Sequence, residues 1–483
     1  MVRAQTLRQL LIASGLAVCS ISDGYIFGQM SGMIDALSSK NSSVPSLTED
    51  DLSWMASSIN ILCVLGFGLM GLITEFLGRR TAIAIVSLPV SVCWVLIYFA
   101  HDRILLLLTR IVLGVCFGGI LVLVYISIAE YQPPQIRPLS ITLIASVGSL
   151  VGTALGHILS ILMNWRHVAL IGVIPSGLSV ILPLFWLESP PWLASKGRFE
   201  ESEKAFNALR VQSDASDNEL RLVLAYEKKK RCEISLSTEK VVFGKKIAVA
   251  VRQSYFWKIA MFSIVICVYR VASGRILFST LAITILQDIT GTTDILLFTL
   301  TVDGLTIMGA VFSCYFLCRF KIRGLFFTSG VIANVFLVIF GLCLYMFPDN
   351  NLYLSWTKVS LLGSYFVIIL AGPYPILDTL ISEIFPIEIK SFCIVIIGSI
   401  GGTLQFLSIK LVPTMLPLMG YHGIFFLNAA IIFLCLLYMW FYLPETKGRS
   451  LHEIEYYFKN NTFDYGKDLF MSEQTNDLLN ERS

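Results

Sequence analysis

Four charged residues stand inside stretches that are otherwise apolar: Arg270, Arg275, Asp303 and Asp378. A charge at the centre of a membrane-crossing helix costs about 2.5–3.5 kcal/mol unless it is paired or wetted. Such side chains therefore either neutralise one another or line a watery cavity, where they can hold a polar or charged solute. At a rise of about 1.5 Å per residue, Arg270 and Asp303 fall at similar mid-depth on consecutive hydrophobic segments. Two outcomes are open. One is an Arg270–Asp303 bridge that locks the second half of the chain; the other is a cavity with Arg270 facing a solute.

A second group of charges recurs. Glu130-Tyr-Gln-Pro133-Pro-Gln-Ile-Arg137 and Glu383-Ile-Phe-Pro386-Ile-Glu-Ile-Lys390 share the pattern E-x-x-P-x-x-x-[RK]. In each, an acid closes a long apolar run, a proline breaks the helix and a cation follows. The copies lie about half the chain apart, which implies two similar halves.

The elements that carry these residues are membrane helices. The chain has 483 residues, 55% hydrophobic and 14% charged, with a mean hydropathy of +0.75; soluble domains carry roughly 25% charged residues. About 20 apolar residues cross a bilayer, and about twelve candidates occur, near 9–34, 52–76, 81–100, 103–130, 139–163, 167–187, 256–286, 292–317, 324–347, 354–383, 391–416 and 421–443. The first run lacks a small-residue cleavage site close behind it and reads as a retained helix. The polar stretch 188–255 divides the halves, and Gly197–Arg210 within it has the spacing of a short amphipathic helix lying on the membrane surface. The expected layout is 1–187 as a first bundle, 188–255 as linker, 256–443 as a second bundle and 444–483 as a tail.

Arg3, Arg8, Arg79, Arg80, Lys228-Lys229-Lys230-Arg231, Arg319, Lys321 and Arg323 all fall on one side of this layout, which places that side and both termini in the cytoplasm. The sequon at Asn41 then lies outside, where a glycan can be added, and the one at Asn460 inside. The cysteines form no CxxC or zinc spacing and read as small core residues. A net charge of +3 gives no reason to expect a nucleic-acid partner. No phosphate-binding loop for a nucleotide and no catalytic constellation is visible, so the chain reads as no enzyme, with no cofactor or metal.

Gly71-Leu-Ile-Thr-Glu75-Phe-Leu-Gly78-Arg79-Arg80 resembles the G-x-x-x-[DE]-x-x-G-R-[RK] signature of the major facilitator superfamily, and Arg319–Arg323 is its remnant in the second half. Leu187-Glu188-Ser189-Pro190-Pro191-Trp192-Leu193 is similar to the PESPRWL of sugar porters, departing at Leu187 and Pro191; Pro444-Glu445-Thr446-Lys447-Gly448-Arg449-Ser450-Leu451 matches that family's PETKGRSL. The resemblance runs from about residue 20 to 455 and leans towards the trehalose-transporter-like branch. It implies an all-α integral membrane fold of about twelve transmembrane helices in two pseudo-symmetric six-helix bundles around a central cavity. It also implies solute transport by alternating access. Glu75, Gly78, Arg79, Arg80, Glu130, Arg137, Glu188, Arg323, Glu383, Lys390, Glu445 and Arg449 would form its cytoplasmic gate. There a glycine turn aims arginines at carboxylates, in contacts that hold the side closed and break to open it.

The sugar-binding pattern is degenerate. Where the family has Q-Q-x-x-G-x-N, this chain reads Arg270-Val-Ala-Ser-Gly274-Arg275-Ile276; its helix-10 tryptophan falls at Asp378 and its helix-5 glutamine near Thr142. A polyol is held by amides and an aromatic face, so Thr142, Arg270, Gly274, Arg275, Asp303 and Asp378 are the candidate cavity residues. The acid of proton-coupled members falls at Ile26, with Asp23 one turn earlier, and Arg110 matches a structural arginine. The implied function is facilitative transport of a sugar of the glucose or trehalose class by a plasma-membrane monomer. The alternatives are a proton-coupled symporter of a polar or charged solute, with Asp23 or Asp378 titrating, and a nutrient sensor that does not transport.

Overall fold

The computed structural model describes residues 2–38, 47–133, 136–210, 254–348, 351–385 and 390–445, with isolated positions between and after them. Twelve helical stretches are long and apolar enough to cross a membrane, and the chain is a multi-pass membrane protein. The first half supplies α1 (Val2–Ser38), α2 (Glu49–Leu77), α3 (Arg79–Phe99) and α4 (Arg103–Tyr131). Its fifth crossing joins α5 (Arg137–Ser140), a π-helical stretch Ile141–Val147 and α6 (Gly148–Leu162), and its sixth is α7 (Trp165–Ile181). Between the halves lie α8 (Pro190–Ser195) and α9 (Phe199–Leu209). The second half supplies α10 (Ser254–Ala272), α11 (Arg275–Thr290), α12 (Leu296–Arg319), α13 (Ile322–Met346), α14 (Leu352–Ala371), α15 (Pro373–Glu383), α16 (Lys390–Lys410) and α17 (Val412–Tyr442).

Two expected helices are broken. The seventh crossing splits at Gly274, whose φ of 69° is left-handed and suits a residue without Cβ. The tenth splits at Gly372, where Pro373 has no N–H to continue the ladder and so opens α15 at its first position. The eleventh ends at Lys410 instead of 416, and α17 begins before Gly420, which kinks it.

Each half builds its own core, around Ile26, Trp94 and Leu123 in the first and Phe262, Phe326 and Tyr365 in the second. Large apolar side chains such as Phe99, Ile174 and Phe433 point outward, as contact with lipid tails requires. Small residues at four-residue spacing let helices touch: Gly24, Gly28 and Gly32 of α1 meet Ser149, Thr153, Gly156 and Ser160 on the fifth crossing. The halves meet along α1–α11, α2–α16 and α6–α12.

The linker helix departs from the expectation of a helix lying on the membrane surface. The inner face of α9 – Ser202, Ala205, Phe206 and Leu209 – is buried against the protein. Gln5 of α1 donates to the Asn207 and Arg210 carbonyls at 2.9 and 2.8 Å, and Gln9 to Leu209 at 2.7 Å. Unspent carbonyls at the end of α9 find donors on α1, so its apolar stripe docks on protein.

Candidate functional site

Two regions gather the chemistry: the end of the bundles that carries Arg79 and Arg323, termed here the basic end, and the central space beside Gly274. The opposite end is the far end.

At the basic end, Gly78 closes α2 and opens α3 with a φ of 84°. A Cβ there would lie 2.5 Å from Glu188 Oε2, so the position admits glycine alone. The turn leaves the Arg79 amide free to donate to Glu188 Oε1 at 2.8 Å. The Arg79 guanidinium grips Glu130 with two parallel bonds, Nε at 2.8 Å and Nη2 at 2.7 Å, a bidentate geometry that lysine cannot copy. Arg80 donates to the Trp186 carbonyl at 2.9 Å and stands 4.0 Å from Glu188. The Glu75 side chain is exposed, while its carbonyl accepts from Trp192 Nε1 at 3.1 Å. Arg137 is half-buried, and its Nε is buried without a hydrogen-bond partner.

The second half repeats this device. Glu445 Oε1 and Oε2 accept from the Ile322 and Arg323 amides at 3.0 and 3.1 Å, capping α13 as Glu188 caps α3. Arg323 donates to the Trp440 carbonyl at 2.9 Å. Each of these contacts stays within its own half. Among the expected gate residues, Arg449 and the side chains of Glu383 and Lys390 lie outside the described residues, as does Asn41.

The far end is closed by contacts that cross between the halves. Lys410 of α16 pairs with Asp50 of α2 at 2.5 Å and lies 4.6 Å over the Trp54 ring. The Ile283 amide donates to Ser31 Oγ at 2.9 Å, and Gln287 to Asp35 at 3.4 Å. Deeper, His157 of α6 reaches Asp303 of α12 at 2.9 Å and the Ser279 carbonyl of α11 at 2.9 Å. The molecule is thus zipped at the far end, while the ion pairs described at the basic end each stay within one bundle and the Arg137 Nε is left without a partner.

In the central space, Arg270 occupies the last turn of α10 and Arg275 the first position of α11, on either side of the Gly274 break. The break is pinned by Tyr365, whose hydroxyl donates to the Ser273 carbonyl at 2.9 Å. Arg270 does not reach Asp303, so the bridge between them is corrected. Arg270 Nη1 pairs with Asp378 Oδ1 of α15 at 2.8 Å, and Asp303 is held by His157. The cause is geometric: the interruption at Gly274 leaves the end of α10 beside α15, while Asp303 faces across to the other half. The side chains of Arg270 and Asp378 are 32% and 26% exposed, so they border open space and not a sealed core. Both guanidinium carbons, of Arg270 and Arg275, sit 4.9 Å from the Tyr374 ring centroid, within cation–π range. Tyr374 was not singled out from sequence, although a tyrosine between Pro373 and Pro375 is a rigidly placed aromatic, and neither was His157, a lone histidine in an apolar span.

A small cavity lies beside this cluster, lined by Thr153, Arg275, Phe278, Ser279, Asp303 and Thr306, with room for about one water molecule. Thr142 is buried in the π-helical stretch, about three turns nearer the basic end than Thr153. Arg110 is fully buried and donates to Gln29 at 2.7 Å, the contact of a structural arginine. Asp23 is buried, and its Oδ1 has no hydrogen-bond partner. Among the described residues no three His, Cys, Asp or Glu side chains converge to hold a metal.

Comparison with known proteins bears on both regions. A family model described as "Sugar (and other) transporter" matches residues 11–458. The facilitated trehalose transporter Tret1 of Polypedilum vanderplanki is 24% identical over 459 residues, covering 92% of this chain and 87% of its own. Tret1 of Apis mellifera ligustica is 23% identical over 451 residues, with coverages of 92% and 87%. The major facilitator superfamily proton:xylose symporter XylE bound to 6-bromo-6-deoxy-D-glucose superposes with a TM-score of 0.74 at 19% identity, covering 94% of this chain and 100% of its own. The inward open conformation of XylE from E. coli superposes at 0.73, with 18% identity and coverages of 93% and 99%.

Proposed function

The chain belongs to the sugar (and other) transporter family, and on that premise we propose that it is a facilitative carrier that moves a sugar of the glucose or trehalose class by alternating access. The observation that carries the reading is the combination of a family match over residues 11–458 with a broken seventh crossing that borders open space. A sugar entering there meets the polar heads of Arg270 and Asp378, which border the open space, while the buried Tyr374 ring beneath the Arg270 and Arg275 guanidinium groups holds those heads in place. Residues 1–187 and 256–443 are the two moving bodies, joined by 188–255, with 444–483 as a tail. The basic end is cytoplasmic by the bias of Lys and Arg, which places both termini there and Asn41 outside. The carrier resides in the plasma membrane, works as a monomer and catalyses no covalent step, in keeping with a family whose named members are transporters.

The far-end contacts and the self-contained basic clusters correspond to the inward-facing half of such a cycle. In the opposite half, Arg79, Arg137 and the acids at the ends of α4 and α15 bridge the bundles. The unpartnered Arg137 Nε supports this, because a buried donor left unmade costs about 1–3 kcal/mol, which closure would recover. The test is uptake of labelled glucose and trehalose into liposomes containing the purified protein. Saturable uptake competed by unlabelled sugar is expected. Flux at the level of empty liposomes, for both sugars, overturns the reading.

A further inference from the structure

The His157–Asp303 contact has no counterpart among the residues expected to act, and it joins the two halves near mid-depth. Its hydrogen bonds fix a proton count. His157 Nε2 lies 2.9 Å from the Ser279 carbonyl, which can only accept, so Nε2 carries a hydrogen. Nδ1 lies 2.9 Å from Asp303 Oδ2. With Nε2 protonated, a neutral ring presents a lone pair at Nδ1, and a carboxylate presents another. Two lone pairs at that distance repel. Turning the ring over would set carbon atoms against both oxygens and satisfy neither. The contact therefore holds one further proton, either on Nδ1 as an imidazolium against a carboxylate or on Asp303 as a carboxylic acid donating to Nδ1.

We propose that the His157–Asp303 pair is a proton-binding site whose occupancy holds the far end of the carrier closed, which makes the opening of that end pH-dependent. The inference rests on the alternating-access reading above. The residues stand on different moving bodies, so loss of the proton removes the bond and substitutes repulsion between the bodies. The pair titrates as a unit. Protonation belongs to the closed far end, so closure is complete at low pH and is lost as pH rises through the titration of the pair. His157 is fully buried, and a water-sized cavity bounded by Arg275, Thr153, Ser279 and Thr306 adjoins the pair on the Asp303 side.

Neighbouring helices carry other ionisable groups. Arg275 of α11 lines the same cavity. Asp288 of α11 accepts from Tyr421, and Asp35 of α1 from Gln287. Tyr25 of α1 donates to the Val168 carbonyl. Asp23 adjoins Gly24, which packs on Ser149, about two turns along α6 from His157. On α7, Arg166 donates to the Ala100 carbonyl and His167 packs on Tyr98. Cys314 and Arg319 of α12 lie towards the basic end. Asp303 is the group that touches the ring.

The test reads conformation and needs no transported solute, so its failure is separable from failure of the sugar reading. Spin labels attached through non-canonical amino acids at Ile104 and Leu352, both exposed at the far ends of α4 and α14, report separation of the bodies in liposomes. In the otherwise unaltered protein the short-distance population should fall as pH rises from about 5 to 8. Asp303→Asn supplies a permanent N–H to Nδ1 and should stay closed across that range. His157→Gln keeps a donor for Ser279 but lacks the imidazole, and should move the midpoint by about one pH unit or more; it serves if Asp303→Asn does not fold. Asp23→Asn and Asp288→Asn should follow the parent. A parent distance that ignores pH, or an Asp303→Asn response that follows the parent's, overturns the proposal.

Discussion

The pairing of Arg270 with Asp378, and not with Asp303, can be measured as an interaction energy. The charges meet at 2.8 Å, and their side chains are 32% and 26% exposed. Coulomb's law at a separation of about 4 Å gives about 1 kcal/mol in water and about 4 kcal/mol at an effective dielectric of 20. Exposure to a watery cavity puts the pair between those limits, below the roughly 3–5 kcal/mol lost when a fully buried pair is broken. A double-mutant cycle of Arg270→Ala and Asp378→Ala, read as unfolding free energy in mixed micelles, should therefore return a coupling of about 1–3 kcal/mol. The cycle of Arg270→Ala and Asp303→Ala should be additive within about 0.5 kcal/mol, because those groups share no contact. Additivity in the first cycle together with coupling above about 1 kcal/mol in the second would refute the arrangement beside Gly274.

Gly78→Ala forces a Cβ to within 2.5 Å of Glu188 in a left-handed backbone, and should destabilise the first bundle by about 1–3 kcal/mol, seen as a lower melting temperature. Arg79→Ala strands Glu130 at a largely buried position and should cost about 3 kcal/mol by the same assay, with Arg79→Lys recovering only part of it. Tyr374→Phe keeps the ring under both guanidinium groups and should leave sugar uptake within a few-fold of the parent. Tyr374→Ala removes two cation–π contacts of about 0.5–2 kcal/mol each and should lower the melting temperature of the second bundle. Glycosidase treatment of protein from a glycosylating host should sharpen its band and leave Asn41→Gln unchanged; a glycan on Asn460 would reverse the orientation.

Most of the fold was legible because it follows from periodicity and length. The spans announce themselves as apolar runs, and the basic end as acids, glycines and arginines at fixed spacing. Arg79, Glu130 and Glu188 meet because each sits at a helix end, where a few residues of sequence determine direction. The centre was less legible for a definite reason. Arg270 and Asp303 share a depth, but depth is one coordinate; the azimuth of a side chain depends on helix breaks, and the effect of the break at Gly274 on the end of α10 is not written in hydropathy. His157 reaches Asp303 across 146 residues of chain, a contact that no local pattern encodes. Likewise, α9 had the stripe of a surface helix, and only the donors on α1 reveal which surface takes it.

That clasp has a bearing on biosynthesis. Gln5 and Arg210 are 205 residues apart, and Gln9 holds Leu209 across 200. At about 5–20 residues per second, roughly 10–40 s of synthesis separate the two ends of the contact. During that interval α1 is already in the bilayer while the partner of its polar end has not been made. The first bundle is therefore finished by the segment that follows its last crossing, and a nascent chain arrested before α9 would hold six helices with an unfastened first turn. Pausing after that point, with α9 free of the ribosome, lets the first half close before the second begins to insert.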